Sequence, residues 1–171
     1  MIPLGRFRWA IGILALAAGV TSFAAATQDA ASAAIGRADE VLVDKSERQL
    51  QLLRKGEVIA TFPVALGFAP EGHKTQQGDG RTPEGHYVLD WRNPKSRFYL
   101  SLHVSYPNAA DKAQAATRGV SPGGDIFIHG TPWLATVAGW DWTLGCIAVS
   151  NADMDAIWAS VADGTPIEIR P

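Results

Sequence analysis

From Glu40 onward, apolar and polar positions alternate in short runs broken by turn residues, the pattern of a β-rich domain. Residues 41–43 and 49–53 read as short strands separated by a polar turn at 44–48. Lys55-Gly56-Glu57 turns the chain into a β-branched, apolar run over 58–66, so the three predict an antiparallel meander. Residues 67–85 hold five Gly and two Pro and read as a loop. Residues 86–91 alternate weakly. Residues 98–104 alternate well, with Phe98, Leu100, Leu102 and Val104 on one face and Tyr99, Ser101 and His103 on the other. Residues 108–118 predict a helix that Asn108 caps and Gly119 closes. Strands follow at 125–129 and 146–149. Asn151 can cap a last helix, in which Met154, Ile157, Trp158 and Val161 form one stripe. Gly164 stops it, and 165–169 is a closing strand. The prediction is a mainly β single domain with two short helices.

The first 26 residues follow a different pattern. Arg6 and Arg8 precede an uncharged apolar run from Trp9 to Val20, and Ala24-Ala25-Ala26 supplies small residues after it. These are the parts of a secretory signal peptide. The run of 12 is short for a membrane span of about 20 residues. We expect cleavage after Ala26 and export to the periplasm or cell envelope, with membrane attachment only if the segment is retained. Residues 27–39 are Ala/Ser-rich and read as a flexible lead, which places the folded domain at 40–171.

Charge and composition narrow the function. The chain has 15 Lys+Arg and 17 Asp+Glu, and removing the export segment leaves 13 basic against 17 acidic residues. A net-acidic domain without a basic run argues against nucleic acid as a partner. Cys146 is the only cysteine, so neither an internal disulfide nor a Cys-rich zinc site can form.

That thiol is the first candidate for chemistry. His129 follows an apolar strand and precedes Gly130; Cys146 follows Gly145 and precedes another. A nucleophile at a strand start, reached through a glycine, sits where backbone N–H groups can face an oxyanion. Imidazole is the usual partner that populates a thiolate. The alternative role for a lone cysteine is a small buried apolar residue. Gly78-Asp79-Gly80-Arg81-Thr82-Pro83-Glu84-Gly85 permits close backbone approach to a ligand, though an ordinary surface connection would look the same. It lacks the Gly-Lys-Ser/Thr ending of a phosphate loop.

Together, Gly78 to Gly85, Ile128-His129-Gly130 and Thr143-Leu144-Gly145-Cys146-Ile147 resemble the L,D-transpeptidase catalytic domain family, the YkuD-like domain, in its periplasmic branch. Tyr106 to Asn108 and Ser121 to Gly124 resemble further segments of that branch. The resemblance covers residues 40–170 and implies an L,D-transpeptidase-like β-sandwich. It implies Cys146 as nucleophile, His129 as its base, and a main-chain carbonyl near Gly130 that orients the imidazole. N–H groups of Gly145 and Cys146 are then expected at the oxyanion. The implied substrate is a peptidoglycan stem peptide, attacked at the L-centre carbonyl of its third residue with loss of D-Ala. The thioester passes to an amine, giving a 3→3 cross-link or a protein attachment, or to water. No cofactor or metal is implied. Leu144 and Ala148 depart from the family pattern, which has His at the first position and often Arg or Asn at the second.

Thr143, Trp142, Arg81 and His103 are the expected substrate-binding residues, with Arg81 suited to a carboxylate and Trp142 to a cleft wall. Trp133 and Trp140 suit core or groove. His73 and His86 read as surface groups and Asp141 as a turn residue. Two other classes compete. A metallohydrolase would need His73, His86, His103 and His129 to converge, and a non-enzymatic wall-binding domain would keep only the fold.

Overall fold

The computed structural model describes residues 35–131 and 140–171. The export segment expected at 1–26, most of the expected lead and Trp133 lie outside the described residues. Among the described residues, eight strands and two helices follow in the order β1 (Glu40–Asp44), β2 (Gln49–Arg54), β3 (Glu57–Pro63), β4 (Gly85–Ser96), β5 (Tyr99–Val104), α1 (Ala109–Thr117), β6 (Phe127–Thr131), β7 (Ile147–Ser150), α2 (Asn151–Ser160) and β8 (Thr165–Arg170). The strands form one sheet in the order β3-β2-β1-β8-β4-β5-β6-β7. The antiparallel meander of β1, β2 and β3 is as predicted. β8 joins it to the rest of the sheet by pairing parallel with β1 and antiparallel with β4.

The sheet nearly closes on itself. Residues 58–66 were expected as one strand, but β3 ends at Pro63 and the chain leaves β2. Ala65 then bridges Ala148 of β7 through hydrogen bonds of 2.9 and 2.8 Å, linking the two edges. Closure leaves few unpaired strand edges and encloses one core. That core gathers Val41, Leu50, Leu102, Ile128, Ile147 and Ile167, with Met154 and Ile157 from α2, all essentially solvent-free. α2 packs across β5, β6 and β7.

Described residues ahead of Glu40 are tied to the domain. The Ala38 N–H donates to Ser160 O (2.9 Å), and the Arg54 guanidinium holds the carbonyls of Ile35 and Arg37 at 2.7 Å each. β4 runs to Ser96, five residues past the expected end, and carries Pro94. Beyond Leu89 it has lost β8 and keeps β5 as neighbour, so a residue without an N–H is tolerated there. Tyr99 adopts φ 71 after the Arg97–Phe98 turn, which breaks the predicted alternation of faces. Its hydroxyl donates to Asp155 of α2 (2.9 Å), while Phe98 swings to the face of Ser101 and His129.

Both helices start on side-chain caps. Asn108 Oδ1 accepts from the N–H groups of Ala110 (2.8 Å) and Asp111 (3.1 Å), and Asp111 accepts from the Asn108 N–H, completing a capping box. Asn108→Ala should therefore lower stability by about 1 kcal/mol, read as a shifted midpoint in urea denaturation. At α2 the cap is Ser150, not the expected Asn151. Ser150 is still extended as β7 ends, and its hydroxyl accepts from the Asp153 N–H (3.0 Å).

Candidate active site

Parallel strands β6 and β7 set the site. Ile128 pairs with Ile147 and His129 with Ala148, so Cys146, just before β7, falls beside Phe127. Side chains alternate along a strand, so His129 and Cys146 project to one face, two positions apart on neighbouring strands. Both line a single cavity of about 340 Å³. Ser101 of β5, the cross-strand partner of His129, also lines it. Sequence reading placed Ser101 only as a face residue; its pairing with His129 required the register.

His129 is buried and its Nδ1 lies 3.0 Å from the carbonyl oxygen of Gly130. A carbonyl only accepts, so Nδ1 carries the proton and the Nε2 lone pair is left for chemistry. Burial lowers the His129 pKa, and the Gly130 bond opposes that in part. Gly130 itself has no room for a side chain, because a Cβ would lie 2.6 Å from Asn151 Oδ1.

Cys146 is half-buried and its thiol points to the Asp125 carbonyl, 3.5 Å away. Burial raises its pKa; the Phe127 N–H opposes this, nearby Asp125 adds to it, and Lys74 opposes it. Both shifts run toward the uncharged forms, which leads us to expect a neutral thiol and a neutral imidazole at rest. Alkylation of Cys146 by iodoacetamide should then be slow at pH 7 and rise with pH through a midpoint above the ordinary thiol value of about 8.5. A midpoint near neutrality would instead mark a preformed thiolate–imidazolium pair.

The turn before Cys146 is held from below. The Thr143 hydroxyl donates to Cys146 O (2.7 Å) and accepts from the Gly145 N–H (3.1 Å). Thr143 is buried, so its hydroxyl holds the turn and does not face the cavity. The Gly145 N–H expected at the oxyanion is engaged by that hydroxyl. Gly145 has φ 130, and a Cβ there would lie 2.6 Å from Arg81 O. The Gly-rich loop is thus the floor beneath this turn. Its glycines permit close approach within the chain: the Phe68 ring lies directly over Gly80. Two buried lysines pin the loop. Lys45 bonds to Gly72 O (2.8 Å) and Glu84 (2.6 Å), and Lys74 bonds to Asp79 (2.9 Å).

Trp142 is not among the cavity-lining groups but packs near His129 and Phe98, which are. Its ring lies 6.0 Å from His129 and 6.4 Å from Phe98, and Phe98 covers His129 at 4.7 Å. Phe98 escaped the sequence reading because only the Tyr99 backbone turn brings it to this face. The Arg81 guanidinium turns away to the His73 carbonyl (3.4 Å) and is not among the cavity-lining groups; its backbone alone meets the site. His103 is held by Asp90 (2.6 Å) and stacked on Trp91, also away from the cavity lining. His73, expected at the surface, is half-buried. Its Nδ1 accepts from the Glu84 N–H (3.0 Å) and its Nε2 faces Asp111 (3.1 Å). His86 is exposed near Glu168, so the four histidines sit in four separate places. Asp141 clamps the chain, taking Arg48 at 2.9 Å and the Leu66 N–H at 2.8 Å.

The two family departures have different surroundings. Leu144 is 77% exposed at the turn tip, and His129 makes its Gly130 bond without it. Ala148 is fully buried in the bridge that links the sheet edges.

A half-buried cysteine and a backbone-oriented histidine, presented by adjacent parallel strands into one cavity, define a cysteine–histidine site. Residues 38–169 match the YkuD L,D-transpeptidase catalytic domain, and the chain belongs to that family. It is 30% identical over 128 residues to YafK of Escherichia coli (strain K12), provisionally named an L,D-transpeptidase; the match covers 71% of this chain and 46% of YafK. The crystal structure of the helical cell shape determining protein Pgp2 from Campylobacter jejuni aligns with TM-score 0.58 and 25% identity, over 84% of this chain and 55% of that one. An L,D-transpeptidase from Xylanimonas cellulosilytica shares the fold at TM-score 0.53 and 16% identity, over 79% of this chain and 61% of that one. The chain spans about half the length of YafK and of Pgp2.

Proposed function

We propose that this protein is a cysteine-dependent L,D-transpeptidase acting on peptidoglycan stem peptides. The observation that carries the reading is the placement of Cys146 and His129 in one cavity, with His129 Nδ1 tied to Gly130 O. In the proposed reaction His129 Nε2 takes the thiol proton as Sγ attacks the L-centre carbonyl of the third stem residue. The Sγ–C bond forms, the C–N bond to D-Ala breaks, and the imidazolium returns its proton to the leaving amine. An acceptor amine then attacks the thioester, Sγ leaves, and the proton passes through His129 back to sulfur. The product is a 3→3 cross-link or a protein attachment. With the Gly145 N–H engaged by Thr143, the Cys146 N–H is the oxyanion donor in this scheme.

The test is incubation with tetrapeptide muropeptides, with products read by mass. A new dimer together with released D-Ala supports transpeptidation. D-Ala alone makes water the acceptor, and no D-Ala from any stem peptide overturns the reading. We also propose that residues 1–26 export the protein and are removed. Terminal sequencing of the protein from the cell envelope should then begin at Thr27.

A further inference from the structure

The catalytic cavity is bounded on one side by the β4–β5 hairpin, a segment that neither the predicted motifs nor the proposed mechanism uses. It contributes Asn93, Lys95 and Arg97 to the same cavity that holds His129 and Cys146. Both cations are exposed, and no carboxylate among the described residues pairs with either. Five other cations of the domain are held by carboxylates: Lys45 by Glu84, Lys74 by Asp79, Arg48 by Asp141, Arg92 by Asp163 and Arg170 by Glu168. The anion lining the cavity is Asp125, whose carbonyl lies against the Cys146 sulfur. The cavity is therefore charged unevenly, with the Asp125 side chain as the acidic group on its lining and two unpaired cations on the hairpin. Arg81, the cation that the sequence put forward for a substrate carboxylate, is turned away to His73.

Resting on the reading of Cys146 and His129 as the reacting pair, we propose that Lys95 and Arg97 form a subsite that recognises a carboxylate of the substrate. A guanidinium and an ammonium on a partly enclosed wall make charge-assisted hydrogen bonds to a carboxylate. Asp125 repels the same group, so the substrate enters with its carboxylate toward the hairpin and its scissile carbonyl toward Cys146. A stem tetrapeptide offers two carboxylates near the scissile bond: the C-terminal one of the leaving residue, and the one at the side-chain end of a diamino-dicarboxylic third residue. The chemistry of the subsite is the same for either.

The test compares three peptides: the tetrapeptide acid, its C-terminal amide, and the acid with lysine as third residue. Each is offered to wild type, Lys95→Ala, Arg97→Ala, the double variant and Arg97→Lys. For the wild type, removal of the recognised carboxylate should raise KM about tenfold or more with kcat little changed. A response to the amide identifies the C-terminal carboxylate; a response to the lysine peptide identifies the side-chain one. The double variant should lose that discrimination, and Arg97→Lys should retain most of it. A double variant that discriminates as the wild type does overturns the subsite while leaving the transpeptidase reading intact. If no peptide is turned over, that reading fails, and calorimetric binding of the same peptides to Cys146→Ala with and without the two charge substitutions decides the subsite alone. Acid and amide peptides that bind these proteins equally, with the lysine peptide no weaker, overturn it.

Discussion

Cys146→Ala should form no acyl-enzyme and release no D-Ala, while its urea midpoint stays close to that of the wild type. Without sulfur there is no atom to make the covalent bond, so the loss is complete to the background of the assay. His129→Ala should retain the nucleophile but lose its proton acceptor, at a cost of about 10²- to 10⁴-fold in kcat. The two losses are not additive, because the thiol and imidazole act as a unit; the double variant should be no worse than Cys146→Ala. The uncharged resting state expected of the pair has a further consequence. Burial shifts the His129 pKa down and the Cys146 pKa up, so in the proposed mechanism the base is available at neutral pH and the thiol keeps its proton until attack. Activity should therefore fall as acidification protonates His129, with a midpoint below the ordinary histidine value of about 6.5. The measurement is the pH profile of kcat/KM. Cys146→Ala keeping wild-type turnover would remove the mechanism altogether.

Gly145→Ala should have the second-largest effect, and on both stability and activity. The backbone there has φ 130, a conformation almost confined to glycine, and the added methyl would stand 2.6 Å from Arg81 O. Strain of about 1–3 kcal/mol from the backbone adds to a comparable overpacking cost. The variant can relieve both only by moving the turn that Thr143 ties to Gly145 N–H and Cys146 O. The sulfur moves with it, and a displacement of about 1 Å costs on the order of 10²-fold in rate. Paired urea denaturation and turnover measurements check this. Wild-type turnover in a folded Gly145→Ala would mean the turn geometry does not position the nucleophile.

The elements were legible wherever the signal was local. The meander, the helix cap at Asn108 and the His-Gly and Gly-Cys pairs depend on neighbours within a few residues. So does the family resemblance, which rests on contiguous motifs. Side-chain placement departs from the local signal where a distant contact overrides it. Arg81 sits in the motif-bearing loop, yet its guanidinium is drawn to the His73 carbonyl. His103 has Asp90 and Trp91 opposite or beside it on β4, which no spacing along β5 announces. Thr143 faces into its own turn and not into the cavity.

The sequence alone therefore determined the class of domain, the order of its elements and the two residues that the proposed mechanism uses. The tertiary structure decided which groups stand around them. The parallel pairing of β6 with β7 puts His129 and Cys146 on one face. The positive φ of Tyr99 turns Phe98 onto His129, and the extended β4–β5 hairpin sets Lys95 and Arg97 at the cavity wall. The division has a physical origin. Periodicity, caps and short motifs are encoded over distances of a few residues, whereas register and face are fixed only when remote strands pair and a shared core is buried.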